Sequence, residues 1–132
     1  MERFKYLSPE WAQEATRRLQ KDLTPEKMKY VTSSMTTIYT NCPDGLERTV
    51  YYRLEEGVVQ EVSLYEKDAP KAEFAIKGDY ETFALISRAE LKARAALMSG
   101  KLMLKGNLVK ALRLAPVVDR LNEVLATIPT DF

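Results

Sequence analysis

The chain has 132 residues, of which 45% are hydrophobic and 30% charged. This is one domain's length with ordinary globular balance, enough to bury about two-thirds of the unfolded surface; it excludes two ordinary domains, a fibre and a mainly disordered chain. Net charge is +1, histidine is absent and Cys42 is the one cysteine, which excludes Ser-His and Cys-His nucleophilic schemes, an internal disulfide and a thiolate zinc cluster.

No apolar run approaches the roughly 18 residues of a membrane span. The start, Met1-Glu2-Arg3-Phe4-Lys5, is charged and lacks the apolar stretch of a secretory signal. The expectation is a single soluble, cytoplasmic domain over residues 1–132.

The first helix is signed by Ser8 as cap, Pro9 at the first helical position and Glu10 in the first turn. Trp11, Ala15, Leu19 and Leu23 follow a spacing of four and make one apolar stripe. Thr24-Pro25-Glu26 restarts a short helical turn. From Lys29 to Thr40 the chain is dense in Tyr, Val, Thr and Ile and reads as a strand. Pro43-Asp44-Gly45 turns, and Val50, Tyr52 and Leu54 then alternate with Thr49, Tyr51 and Arg53. Glu56-Gly57 turns again, into a strand with Val58, Val62 and Leu64. After a break at Asp68-Ala69-Pro70, Ala72, Phe74 and Ile76 alternate with Glu73, Ala75 and Lys77. Four short strands joined by turns predict an antiparallel meander.

The pattern then changes to helix. Asp79 caps a helix carrying Phe83, Leu85 and Ile86. Ser87-Arg88-Ala89-Glu90 has capping-box spacing for a second helix running to Met98, ended by Ser99-Gly100. Lys101 to Lys105 reads as a short strand. Asn107 caps a further helix with Leu108, Leu112 and Ala115 on one face. Pro116 predicts a kink or restart, because proline inside a helix costs about 3 kcal/mol. Val117, Leu121, Val124, Leu125 and Ile128 continue an apolar face as far as Pro129. Charge is uneven along the chain. From Arg88 to Arg113 seven bases are opposed only by Glu90, so this window carries +6 and the remainder −5.

The run Gly100-Lys101-Leu102-Met103-Leu104-Lys105-Gly106-Asn107, followed by Leu108, Ala111 and Leu112, resembles the C-terminal signature of the type-2 sterol carrier protein family. That signature is a Gly-Lys-Leu strand, a Lys-Gly-Asp/Asn turn and an apolar helix. Phe74-Ala75-Ile76-Lys77-Gly78-Asp79-Tyr80-Glu81-Thr82-Phe83 resembles the family's fourth strand and its acidic cap. The order of elements fits from about Ser8 to Ile128, while the sharp motifs cover residues 72–112. The resemblance implies an α/β fold of the α+β type: a five-stranded, mostly antiparallel sheet covered by helices, with an apolar tunnel between them. It also implies non-covalent binding of a lipid (fatty acid, acyl-coenzyme A, phospholipid or sterol) and no catalysis or cofactor. Two features depart from the family. Ser87-Arg88-Ala89 stands where members often have a glycine between two helices. Pro129-Thr130-Asp131-Phe132 is not a peroxisomal address.

The residues expected to line the apolar cavity are Phe74, Ile76, Phe83, Leu91, Leu97, Met98, Leu104, Leu108, Leu112 and Leu121. Those expected at an anionic head group are Lys77, Lys101 and Lys105. Periodicity reports burial and not emptiness, so the same residues also describe a filled core. The fold would then be a closed-core interaction module or homodimer. The basic window suits an acidic membrane surface, or equally a solvated helix face. Nucleic acid fits poorly, because the aromatics lie mostly on the strands rather than among the bases. Cys42 precedes Pro43 in a turn with no activating group beside it. Glu55 and Glu56 are neighbours on a strand and point to opposite faces. No acid–base constellation emerges, so an enzyme is the least supported class and no catalytic or metal-ligating residue is assigned.

Overall fold

A computed structural model describes residues 3–132. The elements run β1 (Phe4–Lys5), α1 (Pro9–Asp22), β2 (Ser33–Thr40), β3 (Arg48–Glu55), β4 (Val58–Tyr65), β5 (Phe74–Asp79), α2 (Tyr80–Ser87), α3 (Ala93–Met98), β6 (Met103–Lys105), α4 (Leu108–Arg113), α5 (Ala115–Leu125) and β7 (Thr130–Asp131). The main sheet has five strands in the order β4-β3-β2-β5-β6. All neighbours are antiparallel except β2 and β5.

That exception corrects the four-strand meander. Three strands do form one, but β5 crosses back to lie parallel to β2, pairing Met35 with Phe74 and Thr37 with Ile76. Alternation tells which face of a strand is buried and is silent on which strand it pairs with. Helix α1 packs along β4, and the Gln20 side chain donates to the Val59 carbonyl there at 2.9 Å.

Local signals place most of the boundaries. The Ser8 hydroxyl accepts from the Trp11 N–H at 3.1 Å. The Asp79 carboxylate does the same for Thr82 at 2.8 Å, and Asn107 for Lys110 at 3.0 Å. Each satisfies an N–H that the helix itself leaves free. The stripe of Trp11, Ala15 and Leu19 is buried. Pro116 falls in the first turn of α5, so the helix restarts there as predicted. Between β3 and β4, Glu56 and Gly57 have φ of 50° and 79°, the pattern of a two-residue type I′ hairpin. A Cβ on Gly57 would lie 2.7 Å from the Pro25 carbonyl oxygen, so glycine is needed there for space as well as for φ.

Three boundaries differ from expectation. Strand β2 starts at Ser33 rather than near Lys29, because Lys29 and Tyr30 sit at φ 55° and 52° in a turn anchored by the fully buried Met28. The last strand is shorter than expected, since Lys101 and Leu102 donate to the Ala96 carbonyl and close α3 before β6 begins. The capping box at Ser87 does not form. Ser87 ends α2, its hydroxyl is used by Tyr6, and α3 begins only after Lys92 with no side-chain cap. In the same turn Ala89 takes φ 59°, the left-handed conformation that glycine accepts most easily. Strands β1 and β7 were not anticipated: two residues each, too short to carry a period, they pair in parallel and join the two ends of the chain.

Candidate functional site: an apolar seam between sheet and helices

Helix-facing residues of the sheet and the inner faces of α2, α3, α4 and α5 enclose an incompletely filled seam. Its outer chamber, about 70 Å³, is walled by Val31, Met35, Leu54, Phe74 and Ile76 from the sheet side. Ala111 of α4, Leu114, and Val117, Val118 and Leu121 of α5 close it from the other. A deeper chamber of about 30 Å³ lies against Tyr39, Tyr52, Phe83, Ile86 and Leu102. Met35, Ile76, Val118 and Leu121 line both chambers and form the partition between them. Larger clefts exist, about 520 Å³ beside Tyr65, Tyr80 and Phe132 and about 610 Å³ between α1 and β4. Their walls are more polar, so the seam is the better apolar ligand site.

The outer wall is thin. Helix α4 has six residues, none of them buried. By contrast, α5 buries Val117, Leu121, Val124 and Leu125. A typical ligand cavity measures roughly 300–1,000 Å³, so the seam is far smaller than such a cavity. The element whose displacement costs least is α4, because little apolar surface is lost when it moves.

The deep chamber is mainly apolar but includes polar residues in its lining. Thr37, Tyr39, Ser87 and Asn122 face it. Behind them the Tyr6 and Tyr39 hydroxyl oxygens lie 3.0 Å apart, and Tyr6 lies 2.6 Å from Ser87 Oγ. Among the described residues no buried side-chain polar atom lacks a partner. Burial raises the pKa of Tyr6, Tyr39 and Tyr52 above the ordinary phenol value. These phenols therefore remain neutral at physiological pH, and those of Tyr6 and Tyr39 act as hydrogen-bonding groups. Cys42 is buried, its Sγ 3.7 Å from the Tyr39 carbonyl, and burial pushes its thiol pKa up, away from reactivity.

Of the residues expected to line a cavity, Phe74, Ile76 and Leu121 border the outer chamber, and Phe83, Ile76 and Leu121 the deep one. Leu91 and Leu97 pack on the core outside both. Leu104 and Leu112 are half-buried and border neither chamber. Met98 and Leu108 are exposed, at 66% and 50%. Lys77, Lys101 and Lys105 are all exposed. Lys77 and Lys105 follow Ile76 and Leu104 on their strands, so alternation turns them to the sheet face opposite the seam. Sequence reasoning missed Met35, Leu54, Val117 and Val118 as lining residues. The alternation that puts Leu54 in line with Val50 and Tyr52 carries the signal for Leu54. Nothing local marks Met35, whose role depends on the crossover that sets it beside Phe74.

A mixed five-stranded sheet covered by helices, with an apolar seam between them, defines an α+β domain with a candidate apolar-ligand site. The sequence matches the SCP-2 sterol transfer family over residues 7–119, and the chain belongs to that family. A crystal structure of sterol carrier protein 2 is similar, with a TM-score of 0.81 at 22% identity, covering 94% of this chain and 99% of that one. A conserved hypothetical protein of Thermus thermophilus has a TM-score of 0.82 at 23% identity, covering 99% of this chain and 94% of that one. Palmitated SCP2L2 from Aedes aegypti has a TM-score of 0.60 at 20% identity, covering 84% of this chain and 94% of that one. No curated protein matches the sequence. Among the described residues, no helix is long and apolar enough to cross a membrane.

Proposed function

We propose that the chain is a non-catalytic lipid carrier that takes a single acyl chain, as a fatty acid or acyl ester, into the seam between sheet and helices. The observation that carries this reading is the pair of adjoining apolar chambers, the outer one closed at Ala111 by a helix with no buried residue. Outward movement of α4 opens the outer chamber, and rearrangement of the Met35, Ile76, Val118 and Leu121 side chains joins it to the deeper one and admits the chain. Burial of about 300 Å² of hydrocarbon at about 25 cal/mol per Å² contributes roughly 7 kcal/mol, enough to offset the opening and leave useful affinity. The polar lining residues Thr37, Tyr39, Ser87 and Asn122 suit an ester or carboxyl oxygen better than the distant Lys77 and Lys105 do. The palmitated Aedes aegypti neighbour supports an acyl ligand over a rigid sterol.

Native mass spectrometry with organic extraction identifies any co-purified lipid, and titration with a fluorescent fatty acid measures affinity. Saturable one-to-one binding is expected. Ala111→Phe, which fills the outer chamber from α4, lowers that affinity at least tenfold in a folded protein, by about the hydrocarbon it displaces. A flat titration of the wild type refutes the carrier reading and leaves a closed-core interaction module.

A further inference from the structure

The main sheet ends in two unequal edges. Strand β6 has three residues, whereas β4 has eight and is paired with β3 on one side only. The two-residue turn at Glu56 and Gly57 fixes which backbone groups of β4 that pairing uses. Glu55 and Val58 flank the turn and bond to each other, so the next pair, Leu54 and Val59, turn their N–H and C=O away from one another. The Gln20 amide that donates to the Val59 carbonyl at 2.9 Å therefore sits on the outer side of β4. Gln60 is the extra residue of a bulge, and β3 runs past it without interruption. Along β3, Arg53, Tyr51 and Thr49 face β4, and they bond to their partners Glu61, Ser63 and Tyr65. Val62 and Leu64, opposite Tyr52 and Val50, turn their N–H and C=O outward. Among the described residues no backbone group outside the sheet bonds to them.

The two halves of this edge are treated differently. The bulge and the Gln20 cap blunt the first half, as natural edges usually are blunted. No bulge, proline or lysine guards Val62 to Tyr65. That half borders the cleft of about 610 Å³ whose other wall is α1, with Ala12, Gln13 and Thr16. Two donors and two acceptors, repeating at about 7 Å along the strand, are matched by an extended main chain. Residues paired straight across an antiparallel ladder share a face. Side chains opposite Val62 and Leu64 therefore turn to the helix side and enter the cleft, where apolar residues suit Ala12 and Val62. A second copy does not fit. Pairing β4 with its own copy keeps both helical layers on one side of the joined sheet, and each α1 lines the space beside its β4, so the two helices would collide.

We propose that the outer edge of β4 at Val62 and Leu64 is a docking site for an extended segment of a partner protein. The segment adds antiparallel to β4 as a sixth strand beside α1, with apolar side chains at alternate positions. No residue of this cleft lines the seam, so strand and acyl chain occupy separate places. The site stands on backbone geometry alone; only its use, to bring the carrier to a protein that supplies or takes the acyl chain, rests on the carrier reading.

The probe is the capped peptide acetyl-Ser-Val-Thr-Val-Thr-Val-Ser-amide, titrated into the isotope-labelled full chain and followed by NMR amide shifts. Saturable shifts are expected at Val62, Leu64 and the cleft face of α1, and saturating peptide should slow hydrogen exchange of the Val62 and Leu64 amides at least tenfold. N-methylation of the valines removes the N–H groups that face β4 and should weaken binding at least tenfold. N-methylation of the threonines, whose N–H groups face away, should leave it near that of the parent peptide. Gln13→Trp, which fills the exposed rim of the cleft, should weaken peptide binding at least tenfold and leave fatty-acid affinity unchanged; circular dichroism confirms that the variant is folded. No saturable shifts, shifts centred away from β4 and α1, an equal loss from both N-methylated peptides, or unchanged peptide binding in Gln13→Trp each overturns the proposal. A Gln13→Trp chain that loses peptide and fatty acid together overturns the separation of the two sites. A wild type that binds fatty acid but no peptide refutes the docking site and leaves the carrier standing. One that binds the peptide but no fatty acid does the reverse.

Discussion

Tyr6 is the most connected polar group in the core, and Tyr6→Phe isolates its hydroxyl. The ring packs edge-on against Trp11 at 5.1 Å and near Tyr39, Tyr80 and Phe132. Phenylalanine keeps that packing, so the change is confined to hydrogen bonding. Two hydroxyls lose their partner: Tyr39 at 3.0 Å and Ser87 at 2.6 Å. A buried polar group left unpaired costs about 1–3 kcal/mol. Ser87 lies on the last turn of α2 and its hydroxyl can turn back to the Phe83 carbonyl four residues earlier, so its loss is small. The fully buried Tyr39 keeps the Thr37 side chain as a hydrogen-bonding neighbour, but loses the Tyr6 hydroxyl with nothing to replace it. The expected cost is about 2 kcal/mol, which for a domain of this size lowers the Tm by about 8 °C. Chemical denaturation and calorimetry of Tyr6→Phe, Ser87→Ala and the double variant measure it. The double variant should be less destabilised than the sum of the singles by about 1 kcal/mol, because removing both partners leaves one fewer orphan. A Tyr6→Phe cost under about 0.5 kcal/mol, or strict additivity, would falsify the account of this network.

Ala89→Gly should stabilise the protein by about 0.5–1 kcal/mol in denaturant melts, because Ala89 holds φ 59° between α2 and α3; a loss of stability would show that the turn is not left-handed. Gly57→Ala should destabilise by about 2 kcal/mol or more, since the added Cβ meets the Pro25 backbone and the hairpin needs positive φ; a neutral change would sink the hairpin geometry. The Glu14 carboxyl, held by the guanidinium groups of Arg17 and Arg18, has its pKa lowered from 4.5 to about 2. A depressed carboxyl adds stability above the unfolded value and loses it as pH falls through the folded one. Stability should therefore drop between pH 4.5 and about 2, and Glu14→Gln should flatten that part of the pH curve; an unchanged slope would exclude this contribution. Finally, amide hydrogens of α4 should exchange much faster than those of α5, and bound fatty acid should slow them; equal protection in the apo protein would contradict α4 as the yielding wall.

The family reading depended on local features that a chain carries whatever its partners. Gly100 closes α3, Gly106 and Asn107 lead into α4, and Asp79 caps α2, each through backbone groups within a few residues. For the same reason the stripe of α1 and the restart at Pro116 were legible. Phe74, Ile76, Phe83 and Leu121 were placed on buried faces by period alone, and those faces border the seam. Met98 and Leu108 continued an apolar pattern yet lie in solvent, because a period marks one side of an element and does not supply the element that covers it. Ser87 had the spacing of a cap, but a buried phenol 81 residues away in sequence uses its hydroxyl.

The elements, their caps and turns, and through the motifs of residues 72–112 the family, are written locally in the chain. Those depend on short-range backbone chemistry and on hydrophobic period. Long-range packing sets the parallel pairing of β2 with β5, which brings Met35 beside Phe74, and the placement of α4 and α5 over both. It also decided that Lys77 and Lys105 lie across the sheet from the seam while Met103 and Val109 stay bare. Strand neighbours, chambers and exposed patches belong to pairs of distant segments. Their energies depend on what each face meets, and no local pattern encodes that meeting.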